Sequence, residues 1–136
     1  MSTSSILVKL GGAAATSHHH LELLAEELGR LDAAVAVVHG GGKEVSELSR
    51  RLGLEPTFHD GIRMTTDDEM DVVEMVLCGL ANKRLVRRLQ RSGLQAVGIC
   101  GADAGLITGT RIADAHGALS RTARVAGVEP EIVRDL

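Results

Sequence analysis

Aromatic residues are almost missing from this chain: 136 residues hold one phenylalanine, Phe58, and neither tryptophan nor tyrosine. A binding mode that stacks nucleobases on aromatic rings is excluded in practice, and any core must be built from Leu, Val, Ile and Ala. An excess of positive charge is missing as well. Fifteen Lys and Arg stand against 18 Asp and Glu, a formal charge of −3, so no general basic field favours nucleic acid. Prolines and cysteines number two each. Cys78 and Cys100 have neither the density of a disulfide scaffold nor metal-ligand spacing. They read as buried free thiols in a reducing compartment, and the expected location is cytoplasmic. No apolar run approaches the roughly 20 residues that cross a bilayer. The start, Met1 to Ser5, lacks the basic-then-apolar order of a signal peptide. Neither nucleic acid nor membrane is an expected partner.

Glycine is plentiful, 16 residues in all, and its placement organises the chain. Ser5 to Leu10 is an apolar run that ends at Gly11-Gly12. Ala34 to Val38 is a second such run, followed by His39 and then Gly40-Gly41-Gly42. The first reads as a buried strand and a glycine turn, then a loop from Ala13 to His20; the second reads as a strand, a tight turn and a helix start. Successive glycines leave bare backbone for a ligand to approach, and a helix start offers N–H groups and a positive dipole end to an anion. Lys9, near the end of the first strand, is costly there unless its ammonium reaches solvent or an anion. A charge held over a phosphate is the functional reading; snorkelling at the strand end is the plain one.

The length suits one domain. After the first turn, Ser17 is placed to cap a helix whose apolar stripe is Leu21, Leu24, Ala25, Leu28 and Leu31. His18-His19-His20 cannot all face one ion, so no functional metal site is expected there. The helix after Gly42 carries Val45, Leu48 and Leu52 and stops at Gly53. Alternation of strand and helix implies a parallel sheet with right-handed crossovers. Ligands of such sheets lie beyond the carboxyl ends of the strands, where both glycine turns fall.

Leu54 to Met64 shows no regular periodicity and contains the turn Asp60-Gly61 followed by Arg63, a residue suited to gripping a carboxylate. Thr66-Asp67-Asp68-Glu69 is a capping box. It opens a helix expected to run from Thr66 to Ser92 and end at Gly93, with a kink or a change of packing partner near Gly79 and Asn82. Its basic residues between Lys83 and Arg91 read as a solvated face. Its length exceeds what one small sheet needs, which leaves a surface for a second subunit. Gln95 to Cys100 reads as a third parallel strand, followed by a turn at Gly101 to Gly105. Leu106 to Ile112 and Leu119 to Val128 read as a hairpin around Asp114 to Gly117. Pro130 opens a last helix to Leu136. The sequence stops inside that pattern, so the expectation is the front part of a longer protein.

The glycines match no common nucleotide loop. A Walker A loop fails because Val37 stands where its first glycine belongs and Glu44 replaces the hydroxyl residue. The dinucleotide pattern fails because Val45 takes the place of its last glycine. No nucleophile elbow is present.

The motifs Lys9-Leu10-Gly11-Gly12, Val38-His39-Gly40-Gly41-Gly42, Asp60-Gly61-Ile62-Arg63-Met64-Thr65, Val73 to Leu77, Asn82-Lys83 and Ala96-Val97-Gly98 carry a resemblance. The chain resembles the N-terminal lobe of the acetylglutamate kinases, within the amino acid kinase superfamily. That resemblance implies an α/β fold: a mostly parallel sheet sandwiched by helices, carbamate kinase-like, with a β-hairpin near the C-terminus. It implies that residues 1–136 form the acyl-amino-acid-binding lobe and that a C-terminal nucleotide-binding lobe, which nothing here matches, completes the enzyme. The implied reaction moves the γ-phosphoryl group of ATP, with Mg2+, to the side-chain carboxylate of N-acetyl-L-glutamate in arginine biosynthesis. By the same resemblance Lys9 is catalytic, Gly11 and Gly12 hold phosphate oxygens, Gly41 and Gly42 touch the acyl amino acid, and Arg63 binds its α-carboxylate. No metal ligand is implied in this part. A homodimer through the sheet and the Thr66–Ser92 helix is implied too. The stretch Cys78 to Val86 is also similar to sister kinases acting on a carrier-linked aminoadipate or glutamate, and a non-catalytic module that binds an acyl amino acid or dimerises is the other alternative. Asp103-Ala104-Gly105 departs from the Asp-Gly pair usual in the family after this strand.

Overall fold

The computed structural model describes residues 5–113, 117 and 119–136. They divide into two compact units, residues 1–45 with 75–98 and residues 46–74 with 99–136.

The first unit is built on strands β1 (Ser5–Leu10) and β2 (Ala34–His39), paired in parallel with Lys9 opposite Val38 and Leu10 opposite His39. Helices α1 (Gly12–Thr16) and α2 (His18–Leu28) lie between them in sequence. The break falls at Ser17, whose Oγ accepts from the His20 N–H at 3.3 Å; it is the expected cap, but a short helix precedes it where a loop was expected. Successive side chains of a strand point to opposite faces. Ile6, Val8, Leu10, Val35, Val37 and His39 are half-buried, while Ser5, Leu7, Lys9, Ala34, Ala36 and Val38 are exposed. The covered face meets a cluster of Leu21 and Ala25 with Leu85 and Leu89, against which Leu10 and Val37 pack. Helices therefore cover one face of this pair, and Leu7 is 71% exposed on the other. The strands are half-buried, not fully buried.

The expected single helix from Thr66 to Ser92 is three consecutive pieces: α4 (Asp67–Glu74), a wide π-helical segment (Met75–Ala81) and α5 (Asn82–Arg91). The irregularity expected near Gly79 and Asn82 is that π-helical segment. Its end at Gly93 is as expected: Gly93 has φ +83, Leu94 N–H donates to Leu89 O at 3.1 Å and Gly93 N–H to Gln90 O at 3.0 Å. This double bond pattern closes the last turn.

The third parallel strand expected at Gln95 to Cys100 does not form. Two of its carbonyls accept from helix side chains instead. Lys83 Nζ donates to Gly98 O at 2.8 Å and Gln90 Nε2 to Ala96 O at 3.4 Å. Gly98 lies so close to α5 that a methyl group there would stand 2.0 Å from Asn82 Oδ1.

The second unit contains most of α3 (Gly42–Arg51), a small hairpin of β3 (Phe58–His59) and β4 (Ile62–Arg63), α4, and the antiparallel pair β5 (Ile107–Ala113) and β6 (Leu119–Val128). Helix α3 ends as expected: Gly53 has φ +79 and Leu54 N–H donates to Ser49 O at 2.9 Å. The turn Asp60-Gly61, with φ values of 49 and 78, is a two-residue hairpin turn of the type whose twist suits antiparallel strands. Expected hairpin strands β5 and β6 are present, with register shifts between Thr108 and Gly109 and between Arg111 and Ala113; residues 114–116 of their expected turn lie outside the described residues. A short α6 (Glu131–Arg134) follows Pro130. Among the described residues no helix is long and apolar enough to cross a membrane.

Candidate functional site

Two glycine turns leave the same edge of the parallel pair in the first unit. Because Leu10 pairs with His39, Gly11-Gly12 and Gly40-Gly41-Gly42 follow neighbouring strand ends. Lys9 lies on the exposed face beside Val38. The structure thus brings together five of the residues singled out from sequence: Lys9, Gly11, Gly12, Gly41 and Gly42. Each turn passes into a helix. Ala15 N–H donates to Gly11 O at 2.9 Å, and Val45 N–H to Gly41 O at 3.0 Å.

The glycines are not equivalent. A Cβ at Gly11, Gly12, Gly40 or Gly42 would meet nothing within 4 Å, whereas one at Gly41 would stand 2.8 Å from Leu77 Cδ2. Gly41 is buried and Gly42 exposed. The bare backbone at Gly41 is therefore used by the π-helical segment, which packs Leu77 against it. Its peptide groups can still serve a ligand from the opposite side.

Two further residues, His39 and Asn82, join this edge. His39 Nδ1 lies 3.2 Å from Gly40 O, and Asn82 Nδ2 lies 3.4 Å from His39 Nε2. Strand alternation would have pointed His39 inward, on the face of Val35 and Val37. Asn82 shares the stripe of Leu85 and Leu89 at spacings of three and seven, so a polar residue on an apolar stripe was the available signal. Nearby, Arg84 Nη1 lies 2.8 Å from Glu44 Oε1, with side chains 30% and 20% exposed. Glu44 Oε2 is buried and has no hydrogen-bond partner among the described residues.

The expected solvated basic face of α5 is in part engaged. Besides Lys83 and Arg84, Arg88 Nη1 pairs with Glu22 Oε1 at 3.5 Å and donates to His18 Nε2. His18 Nδ1 faces Glu22 Oε1 at 3.1 Å, so this histidine has a polar partner on each ring nitrogen. Among the described residues no group of three or more His, Cys, Asp or Glu is arranged to hold a metal ion.

Arg63 belongs to the second unit, on β4, directly opposite Phe58 of β3. Its guanidinium carbon stands 4.9 Å from the Phe58 ring centroid, within range of a cation–π contact. Nη1 lies 3.5 Å from Glu69 Oε1, and Nη2 donates to Ser46 Oγ. The Arg63 side chain is 15% exposed and that of Glu69 3%. Glu69 does two tasks. Its Oε2 accepts from Thr66 N–H at 3.2 Å, and its own N–H donates to Thr66 Oγ1 at 3.2 Å; this is the capping box read from sequence. Strand β6 holds the backbone around Arg63: Thr122 Oγ1 donates to Arg63 O, and Ser120 Oγ donates to Thr65 O at 3.1 Å. Arg63 is therefore a fixed, largely buried cation on a strand. A planar fork held in one orientation is what two-point recognition of a carboxylate needs.

Residues 4–136 match the model of the amino acid kinase family. The chain is 40% identical over 131 residues to an acetylglutamate kinase of Synechococcus sp. (strain RCC307), covering 94% of this chain and 44% of that protein. It is 41% identical over 142 residues to an acetylglutamate kinase of Acidiphilium cryptum (strain JF-5), covering 96% and 46%. The chain thus spans less than half the length of these relatives. In fold it is similar to smu.665 from Streptococcus mutans UA159, with a TM-score of 0.77 at 21% identity, covering 96% of this chain and 53% of that one. It is also similar to N-acetylglutamate synthase from Neisseria gonorrhoeae complexed with coenzyme A and N-acetyl-glutamate, with a TM-score of 0.74 at 18% identity, covering 97% and 30%.

Proposed function

The chain belongs to the amino acid kinase family, and from that premise we propose that it is the acyl-amino-acid-binding part of an acetylglutamate kinase. The proposed reaction transfers the γ-phosphoryl group of MgATP to the side-chain carboxylate of N-acetyl-L-glutamate, a step of arginine biosynthesis in the cytoplasm. The observation that carries this reading is the shared edge at which Lys9 and both glycine turns leave two paired parallel strands. Phosphoryl transfer needs positioning and fixed positive charge more than covalent chemistry. Lys9 supplies charge for the phosphoryl group in flight. Backbone N–H groups around Gly11 and Gly12 hold phosphate oxygens. Gly41 and Gly42 form the floor under the acyl amino acid, and the Arg63 fork takes its α-carboxylate. Most of the nucleotide site is assigned to the part of the relatives that has no counterpart in these residues.

A homodimer is part of the same proposal. Leu7 on the open sheet face, away from the strand end that bears Lys9, and Met75 and Leu80 on the π-helical segment, are 71%, 54% and 48% exposed, and a second copy would cover them. Sedimentation equilibrium tests this; a monomer at all concentrations would refute it.

The test of activity uses the full-length protein. ATP-dependent formation of a hydroxamate-trappable acyl phosphate from N-acetyl-L-glutamate is the expected result. Turnover confined to a carrier-linked aminoadipate or glutamate would overturn the substrate assignment.

A further inference from the structure

We propose that His39 is a positioning residue, held as one neutral tautomer by Asn82, and that it sets the direction of the Gly41 N–H. The inference rests on the reading of Gly41 and Gly42 as the floor under the acyl amino acid. It concerns how that floor is aimed.

Two contacts fix the ring. Gly40 O is an acceptor only, so the His39 Nδ1 lying 3.2 Å away bears the proton. Asn82 Nδ2 is a donor, so the Nε2 lying 3.4 Å from it is the bare nitrogen. With the amide oriented so, the two neighbours favour the same tautomer together.

The consequence follows from peptide geometry. Gly40 C=O and Gly41 N–H belong to one planar trans unit and point in opposite directions. A carbonyl tied to the His39 ring aims the next N–H away from that ring. Glycine would otherwise allow this unit to rotate freely. The same helical run grips the turn a second time, because Leu77 and Ala81 pack on the side where Gly41 has no Cβ. Asn82 is itself confined: it is 8% exposed and fills the space that a side chain on Gly98 would need. A polar strand-end residue facing the covered side, a buried amide and two glycines thus form one device.

Nitrogen-detected NMR of imidazole-labelled chain tests the tautomer directly and needs no ligand. At neutral pH the expected spectrum shows a pyrrole-type Nδ1 and a pyridine-type Nε2 for His39. Asn82→Leu is expected to convert this to a tautomer mixture. A protonated Nε2 in the wild type, or an unchanged tautomer in Asn82→Leu, would overturn the proposal. Calorimetry with N-acetyl-L-glutamate then tests the consequence. His39→Ala is expected to weaken binding about tenfold, the scale of one hydrogen bond. His39→Asn, whose amide nitrogen can take the place of Nδ1, is expected to stay within about threefold of wild type. Equal losses in both variants would refute the positioning role. Absence of binding by the wild-type full-length protein would instead refute the substrate reading, leaving the tautomer result to stand or fall on its own.

Discussion

Asn82 occupies the place where Gly98 would carry a side chain: a methyl group there would come within 2.0 Å of Asn82 Oδ1 and 2.8 Å of Val86 Cγ2. Gly98→Ala must displace a buried amide that is bonded to His39. Overpacking of this kind costs about 1–3 kcal/mol, and urea unfolding is expected to read that loss. Gly12→Ala is the comparison. Nothing lies within 4 Å of a Cβ there, so stability is expected to change by less than about 0.5 kcal/mol.

Glu69 joins a helix cap to an ion pair, and two substitutions separate the tasks. Thr66→Ala removes cap bonds and is expected to cost about 1 kcal/mol in denaturant unfolding. Glu69→Ala also leaves the 15%-exposed Arg63 side chain without its carboxylate, and a loss of about 3 kcal/mol is expected. Equal losses would show that the pairing with Arg63 adds nothing to stability.

Arg63→Lys tests the fork rather than the charge. Lysine keeps the cation but cannot offer two parallel donors or the same flat stack on Phe58. Affinity for N-acetyl-L-glutamate, measured by calorimetry on the full-length protein, is expected to fall about tenfold or more. The KM for ATP is expected to change by less than about twofold. Equal effects on both substrates would remove Arg63 from the carboxylate-binding role.

Ala104 lies in the short turn Asp103–Gly105 with φ +50, a conformation that costs an L-residue about 1–2 kcal/mol. The departure from Asp-Gly seen in the sequence is thus a departure into strain. Ala104→Gly relieves it at some cost in unfolded-state entropy, and a net gain of about 0.5 kcal/mol is expected in thermal unfolding. A loss would mean that the turn relies on the alanine methyl.

Local chemistry was readable where a feature depends on neighbours in sequence. The ends of β1 and β2, the cap at Ser17, the box at Thr66 and Glu69, and the stops at Gly53 and Gly93 each rest on a few adjacent residues. The edge shared by Lys9 and the two glycine turns followed from strand order alone. What was missed depends on partners far along the chain. The run Gln95 to Cys100 has strand composition, yet two of its carbonyls accept from Gln90 and Lys83. Arg63 was recognised as a carboxylate-gripping type, but its stack on Phe58 needed the small hairpin, and its bond to Ser46 spans 17 positions. His39 has no legible task within its glycine motif, because its partner Asn82 lies 43 positions away.

The π-helical segment has a consequence for how length may vary. Each residue of an α-helix turns the next by about 100°. Leu77 must meet Gly41 while Asn82 meets His39 and Leu85 and Leu89 meet Leu21 and Ala25. In the wider π-helical turns of Met75–Ala81 each residue turns the next by less, so the loss of one residue there, Gly79 for instance, is offset when these turns tighten to α-helical ones. A deletion between Asn82 and Leu85 has no such outlet, because α5 is already α-helical, and it would swing Leu85 and Leu89 out of phase with Asn82. The π-helical segment is thus the take-up slack of a thread engaged at two nuts.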